Sequence, residues 1–509
     1  MRIRVDWRSS CSLTGTVLKW LAVALAVPLG LSLLDGDDPV PFLAAIAVTI
    51  AVGIGLERLS TDRELGQRES FLMVALTWLG VAAVGAVPFF VAGLGAGGNS
   101  AFSGLVDGPV NAMFESTSGL TTTGATIMNG WDFENQSRAI LLWRQLIQWL
   151  GGLGILVVAI GLLSHLMVGG AQLMETESQT RNVRKLRPHI SETARLIWGL
   201  YVGITLLAIA VFYGLHLVGL APNMSLFNAV SHAFTAVATA GFSPEPQSVG
   251  AFEPIVQWSI MPFMIVGSTN FVLLYYVTQG EFDRPLGSEE FRFYLGTLAF
   301  FGAIVVAILA FDPEIDKGLE PTIRHGLFNV VSLVTTTGYA STDFDLWTPG
   351  AKHVLFLCMF LGGMAGSTTC SIKSLRWLIV LKAFRRNLFT SVHPEAVRPI
   401  RLGDGVVAEE TINDVFGYVM LALVIFFLLT VFLVVDAARA GEFVGEFEAL
   451  GAAASIFLNI GPAFGMAGPM DNYAGFTTAS RTVMIVMMWI GRIEIVPVLV
   501  LLTPAFWRS

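Results

Sequence analysis

Phe114-Glu115-Ser116-Thr117-Ser118-Gly119-Leu120-Thr121-Thr122-Thr123-Gly124 closes an apolar stretch, residues 108–122, that is too short to cross a bilayer as a helix. A stretch of that length running into a hydroxyl- and glycine-bearing loop predicts a re-entrant segment. Three more stretches have the same form, 223–238, 320–336 and 444–459. Their loops read Ala238-Thr239-Ala240-Gly241-Phe242, Thr335-Thr336-Thr337-Gly338-Tyr339 and Leu458-Asn459-Ile460-Gly461-Pro462. With 52 glycines in the chain, one such loop is most simply a turn or a packing site. Four of them, each set between two long apolar runs, predict an architectural repeat.

The long runs are 17–34, 40–57, 71–94, 139–166, 194–219, 254–277, 291–311, 352–381, 413–435 and 480–501, ten candidate spans. The first two stand outside the repeat. The expected division is therefore an N-terminal pair of transmembrane helices (1–69) and four span–short-helix–span units, 70–193, 194–290, 291–412 and 413–509. Composition agrees: 54% of the 509 residues are hydrophobic and 13% charged, about half the charge of a soluble chain. Mean hydropathy is +0.68. No polar stretch is long enough for an extramembrane domain.

Charge gives the expected sidedness, because Lys and Arg gather in cytoplasmic loops. Arg58, Arg63 and Arg68 follow the second span; Arg181, Arg184, Lys185 and Arg187 the fourth; Lys382, Arg385, Arg386, Arg398 and Arg401 the eighth. Segments 96–137 and 217–253 contain neither residue, and the later two short segments contain only Lys317, Arg324 and Arg439. All four short helices are thus expected on the extracytoplasmic side and both termini inside. The basic start followed by the apolar run 16–34 mimics a signal peptide, but Pro28 and Asp35-Gly36-Asp37-Asp38 read as the end of a retained helix. Cys11, Cys358 and Cys370, odd in number and partly within apolar segments, do not suggest a disulfide framework. The net charge of −8 gives no expectation of a nucleic-acid surface.

Non-helical backbone at membrane depth is tolerated only where protein or water covers it. Four loops facing one axis would line a water-filled pore, and rings of backbone carbonyls replace a cation's hydration without adding fixed charge. Glycine accepts positive φ and lets successive carbonyls turn towards the axis. Each short helix ends at its loop, so the negative end of its dipole would face the ion. There is no nucleophile–base arrangement, zinc spacing or phosphate-cradling loop to suggest an enzyme, and Gly151-Gly152-Leu153-Gly154 lies within an apolar span with no strand before it.

The segments 114–124, Gln148-Trp149-Leu150-Gly151-Gly152-Leu153-Gly154, Val331-Ser332-Leu333-Val334-Thr335-Thr336-Thr337-Gly338-Tyr339-Ala340 and Leu458-Asn459-Ile460-Gly461-Pro462 resemble the TrkH branch of the Trk/Ktr/HKT potassium-transporter superfamily. The likeness covers nearly the whole chain, including the two extra N-terminal helices. It implies an all-α integral membrane fold with the four repeats in pseudo-fourfold arrangement around a pore. It also implies a homodimer with one pore per subunit, in a bacterial or archaeal cytoplasmic membrane. The regulatory partner would be a cytosolic, nucleotide-binding subunit of the TrkA type, so a nucleotide is expected there and no cofactor on this chain. The filter carries over onto Thr122, Thr123 and Gly124, Thr239, Ala240 and Gly241, Thr336, Thr337 and Gly338, and Asn459, Ile460 and Gly461, with potassium held by their carbonyls. In plant relatives a serine at the first glycine goes with sodium permeation; Gly124 here favours potassium.

The eighth span is interrupted by Gly362-Gly363-Met364-Ala365-Gly366-Ser367-Thr368-Thr369-Cys370-Ser371-Ile372-Lys373. By itself this reads as a kinked helix with small residues for close packing or as a break, since such residues weaken a helix. The resemblance implies an intramembrane loop that obstructs the pore below the filter; the family's usual ending is Ser-Thr-Gly-Gly-Gly-Ile-Lys, and Thr369-Cys370-Ser371 departs from it. Arg492 and Glu494 interrupt the last span, and charge at membrane depth is a functional signal. Arg492 is expected to reach the pore and hold the loop through its carbonyls; the alternative is pairing with Glu494 or with lipid. Glu115, Arg144, Gln145 and Gln148 are expected to form contacts behind the filter, and His232 and His325 to be satisfied histidines rather than metal ligands. Outer-loop acids (Asp107, Asp132, Glu134, Glu245, Glu253, Asp343 and Asp345) are expected chiefly as solvated loop charge, with concentration of cations at the pore mouth as the alternative. Two transport readings stand: a potassium pore gated by a cytosolic subunit, and a secondary transporter coupling potassium to sodium or protons. A carbonyl-lined path without titratable groups at the midplane favours the first.

Overall fold

Long apolar runs become helices wherever no glycine-, hydroxyl- or proline-rich segment intervenes. The computed structural model describes residues 5–59, 66–94, 104–161, 190–311, 318–403 and 405–507. The chain is a multi-span, all-helical membrane protein; among the described residues the only strands are the two-residue pair Arg401–Leu402 and Gly405–Val406. Seven described helices are long and apolar enough to cross a bilayer: Trp7–Asp35, Val40–Glu57, Arg68–Val91, Arg138–Leu156, Ala194–Leu217, Glu289–Leu309 and Glu409–Ala440. Their ends follow ordinary capping. Asp6 accepts from the Ser9 amide, and Gly36 and Gly441, left-handed at φ 75° and 78°, close their helices' C-termini.

Four expected spans are not single helices. The sixth, read as continuous over 254–277, is broken: Pro254–Gly267 and Phe271–Thr278 meet at 107° across Ser268-Thr269-Asn270. Asn270 caps the second piece, accepting from the Val272 and Leu273 amides. The eighth stops at Cys358 and resumes at Ser374, so its interruption begins earlier than the glycines at 362. The tenth breaks at Glu494, a non-glycine residue at φ 74°, between Thr478–Ile493 and Ile495–Leu502. The third also has a minor break at Ala86. The basic cluster 181–187, Arg63, Lys317 and the end of the fourth span at 162–166 lie outside the described residues.

The four short helices are Gly104–Leu120, Leu226–Val237, Leu319–Val334 and Glu446–Phe457. They lie inside the assembly: Ala229, Ala233 and Ala236 of the second and Ala449, Ala452 and Ala453 of the fourth are wholly buried. Small residues let the surrounding spans close over the short helices. The span Arg138–Leu156 is internal as well, with 78% of its apolar window buried against 28% for Trp7–Asp35 and Val40–Glu57. Those two N-terminal helices cross at Gly15 and Gly53, where a Cβ on Gly15 would stand 2.6 Å from the Gly53 carbonyl oxygen.

Candidate ion filter and intramembrane loop

Each short helix hands over to its loop by the same hydrogen bond. The amide of the residue before the glycine donates to the carbonyl five residues upstream: Thr123 to Ser118 (2.9 Å), Ala240 to Thr235 (2.9 Å), Thr337 to Ser332 (2.8 Å) and Ile460 to Ser455 (2.9 Å). The backbone then alternates in hand. Thr122, Thr239, Thr336 and Asn459 have φ of 51°, 49°, 50° and 55°; Gly124, Gly241, Gly338 and Gly461 have 78°, 81°, 80° and 111°; the residues between are not left-handed. Positive φ at three β-branched threonines is costly and persists only where surrounding contacts impose it. The fourth loop, which lacks the threonines, keeps this pattern and departs chiefly at Gly461.

The loops meet in chain order and close on themselves. A Cβ at Gly124 would stand 2.4 Å from the Ala240 carbonyl oxygen, one at Gly241 1.9 Å from that of Thr337, one at Gly338 2.0 Å from that of Ile460, and one at Gly461 2.7 Å from that of Thr123. Glycine is required at all four places by sterics as well as by φ. Above the ring a vestibule is lined by the four glycines together with Phe242, Ser243, Glu245, Pro462 and Tyr473. Serines support the outer rim from behind: Ser118 donates to the Ala125 carbonyl (2.5 Å), Ser332 to that of Tyr339 (2.6 Å) and Ser455 to that of Gly461 (2.7 Å), where the Tyr473 hydroxyl also donates (2.8 Å).

Polar side chains of the fourth span hold the first two loops from outside. Gln148 donates to the Ala240 carbonyl (2.7 Å) and accepts from the Phe242 amide (3.0 Å). Arg144 and Glu115, 1% and wholly buried, pair at 2.7 Å; Glu115 also accepts from the Ile127 amide, and Arg144 donates to the Ser243 carbonyl while stacking on Phe242. Removing one partner of a buried, hydrogen-bonded pair leaves the other charge uncompensated, so Glu115→Gln and Arg144→Met should each destabilise the protein by about 3–5 kcal/mol. Thermal unfolding in detergent tests this; either single variant unfolding at the wild-type temperature would sink the assignment. His232 is satisfied by the Asn228 carbonyl (2.8 Å) and Ser243 hydroxyl (3.1 Å), and His325 meets Ser341 (2.8 Å). Among the outer acids, Asp345 accepts from the Gly465 amide and pairs with Lys352, and Asp132 caps a short helix with Asn129. No group of acids, histidines or cysteines suited to a metal occurs among the described residues.

On the side of the ring away from the vestibule lies the loop that interrupts the eighth span. Gly362 and Gly363 return on its exit: the Gly362 amide donates to Ile372, and Ser374 donates to both glycines' carbonyls. A side chain at Gly363 would collide with Ser268, and Gly366 is left-handed at φ 76°. The tip docks on the broken sixth span. The Met364 amide donates to Ser268, the Phe271 amide to Gly366, Asn270 to the Ala365 carbonyl (2.8 Å), and the Ala365 amide to buried Glu290 (2.7 Å). Ser367 and Thr369 share a hydroxyl contact (2.7 Å). Thr368 and Cys370 face the ring: Thr368 Oγ1 lies 2.9 Å from Thr239 Oγ1, and the Cys370 amide donates to Thr336 Oγ1 at 3.1 Å.

Arg492, 1% exposed, reaches this loop from the last helix. Its Nη1 donates to the Thr368 carbonyl (2.8 Å) and contacts Cys370 Sγ (2.8 Å), and its Nη2 donates to the Gly151 carbonyl (3.0 Å). It does not pair with Glu494. That carboxylate binds Arg376 at 2.9 Å, which stacks on Tyr418; Lys373, at the loop's exit, belongs to the same charged neighbourhood. The guanidinium therefore bridges the loop and the fourth span, as a planar two-ended donor can and an ammonium cannot.

Asn270, Glu290 and Arg376 were not singled out by sequence reading. A signal existed for Asn270: Gly267-Ser268-Thr269-Asn270 repeats, inside an apolar run, the small and hydroxyl-rich composition that marked the eighth span. Glu290 and Arg376 sit at helix ends, where charge is ordinary.

A profile of the TrkH family, described as cation transport protein, matches residues 40–311 and 292–509. The chain is 32% identical over 501 residues to the Trk system potassium uptake protein TrkH of Halomonas elongata, covering 97% of this chain and 98% of that one. It is 35% identical over 451 residues to the protein of the same name from Salmonella typhimurium, 88% and 87% covered. Its fold matches the crystal structure of the potassium transporter TrkH from Vibrio parahaemolyticus with a TM-score of 0.86 at 29% identity, over 99% of this chain and 100% of that one.

Proposed function

The chain belongs to the TrkH family of cation transport proteins, and we propose that it takes up potassium across a bacterial or archaeal cytoplasmic membrane through the ring of four glycine loops. The observation that carries this reading is the closure of the ring: each glycine abuts the carbonyl of the next loop, and the fourth returns to the first. Such a ring can offer a dehydrated cation several carbonyl oxygens on one axis and no fixed charge. In this reading residues 70–193, 194–290, 291–412 and 413–509 are four repeats in pseudo-fourfold arrangement, behind the pair 1–69. The filter comprises Thr122, Thr123, Gly124, Thr239, Ala240, Gly241, Thr336, Thr337, Gly338, Asn459, Ile460 and Gly461.

The loop from Gly362 to Lys373 is the gate, with Gly366 as a pivot and Arg492 as the latch across Thr368 and Cys370. Both termini are cytoplasmic, and the subunit pairs with a second copy. The Trk-system names of the relatives support a cytosolic regulatory partner, nucleotide-binding in this reading, that moves the gate.

The test is the reversal potential of the purified protein in liposomes under opposed potassium, sodium and proton gradients. A Nernstian response to potassium alone is expected. Displacement by an imposed sodium or proton gradient would replace the pore with a coupled transporter, and no potassium flux would end the proposal.

A further inference from the structure

Nine residues before each ring glycine stands a side chain of the short helix: Glu115, His232, Asn329 and Ala452, all wholly buried. Two or three residues after the glycine, the first three loops carry a hydroxyl, Thr126, Ser243 and Ser341. The two places are bonded to each other. Thr126 Oγ1 donates to Glu115 (3.0 Å), Ser243 Oγ lies 3.1 Å from His232 Nε2, and Asn329 Nδ2 donates to Ser341 Oγ (3.2 Å). His232 and Asn329 are also anchored alike, each to the carbonyl one helical turn back, Asn228 (2.8 Å) and His325 (2.9 Å). The Asn228 carbonyl can only accept, so His232 Nδ1 carries the proton; Ser243 Oγ accepts from the Glu245 amide (3.0 Å), which leaves its own proton for Nε2. The fourth loop lacks both partners at once: alanine stands at 452 and at 463, and Phe464 follows.

Three different amino acids thus make one connection, between the outer end of a loop and its own short helix. The backbone follows it. The ring glycine has φ of 78°, 81° and 80° where the connection is made and 111° where it is not. The supporting serine shifts as well: Ser118 and Ser332 donate to the carbonyl after the glycine, whereas Ser455 donates to the carbonyl of Gly461 itself. Resting on the reading of the ring as a potassium filter, we propose that Glu115–Thr126, His232–Ser243 and Asn329–Ser341 are tethers that set its selectivity. They hold three of the four loops back against their helices and keep the glycine carbonyls from closing on a cation smaller than potassium. A tethered loop can follow a smaller ion inward only by breaking a bond whose buried partners then go unsatisfied. These side chains position the carbonyls and do not touch the ion. The fourth loop, which has no tether, is the compliant one.

The experiment is the potassium-to-sodium permeability ratio of the full chain in liposomes, taken from reversal potentials, with thermal unfolding of each variant read alongside. His232→Ala and Ser243→Ala each remove the second tether and should lower the ratio about fivefold. The double variant should lose no more than either alone, because there is one bond to lose. His232→Gln gives up the Asn228 anchor, but its amide reaches the place of Nε2 and should restore the parent's ratio. Ser341→Ala makes the same test on the third loop, should the second-loop alanine variants fail to fold. An unchanged ratio in a folded alanine variant, whatever its stability, overturns the tether. So does a double variant whose losses multiply, or a His232→Gln ratio as low as that of His232→Ala. A parent with no preference for potassium over sodium ends the filter reading itself and takes this proposal with it.

Discussion

Replacing Arg492 with alanine is expected to raise potassium flux through the isolated protein by about a hundredfold. The guanidinium makes two charge-assisted hydrogen bonds to main-chain carbonyls, Thr368 on the intramembrane loop and Gly151 on the fourth span. Bonds of this kind contribute about 1.5–3 kcal/mol each. Displacing the loop breaks the bond to Thr368 while that to Gly151 keeps the guanidinium in place; at the upper end the Thr368 bond holds the loop by about 3 kcal/mol, which is about two decades in the ratio of seated to displaced loop. The buried positive charge also repels an approaching cation, so its removal acts in the same direction. Arg492→Lys separates the two effects: it keeps the charge, but an ammonium on a narrower reach does not bridge both carbonyls. Its flux should fall between wild type and Arg492→Ala. Rubidium or potassium efflux from liposomes, with no partner protein added, is the measurement. Equal flux in all three proteins would remove Arg492 from the gate.

The second large effect is expected from alanine at the ring glycines, with a ranking. Positive φ costs an L-residue about 1–2 kcal/mol at each position. The steric term differs. The added Cβ would stand 1.9 Å from a main-chain oxygen at Gly241, 2.0 Å at Gly338, 2.4 Å at Gly124 and 2.7 Å at Gly461. These neighbours are backbone and cannot rotate aside, so the ring itself must open. Gly241→Ala and Gly338→Ala should abolish potassium-selective flux, Gly124→Ala should retain less selectivity than Gly461→Ala, and Gly461→Ala should be mildest. The permeability ratio of potassium to sodium for the four variants, each first shown to be folded by its elution and thermal unfolding, checks the order. Equal ratios in all four would show that close packing between loops does not set selectivity.

Much of this architecture was open to sequence reading because its signals are local. The short helix expected at 223–238 is Leu226–Val237, and that at 320–336 is Leu319–Val334. Their length and the glycine loops behind them are properties of contiguous residues. The break in the sixth span was missed for the opposite reason. Free carbonyls at Gly267 and Ser268 are answered by amides of Thr368 and Met364, about a hundred residues along the chain, and no window of sequence contains both. The left-handed threonines were equally hidden. Glycine announces positive φ; a β-branched residue argues against it, and only the packed ring imposes it. For Arg492 the cost of a buried charge was legible, and so was its reach to the loop, but its second partner, Gly151 in a distant span, was not. The alternative mate, Glu494, belongs instead to Arg376.

Closure of the ring within one polypeptide changes what a mutation is. In a pore assembled from four identical chains, one altered codon appears four times and the lining changes all at once. Here Thr123, Ala240, Thr337 and Ile460 each present a carbonyl to the neighbouring loop's glycine, with four independent codons behind them. A substitution is delivered at a quarter dose, and a quadrant can be given a separate task, as Asn459 has been in fastening the fourth loop to the first and to the last helix. Such a ring can drift one quadrant at a time without passing through a fully altered lining.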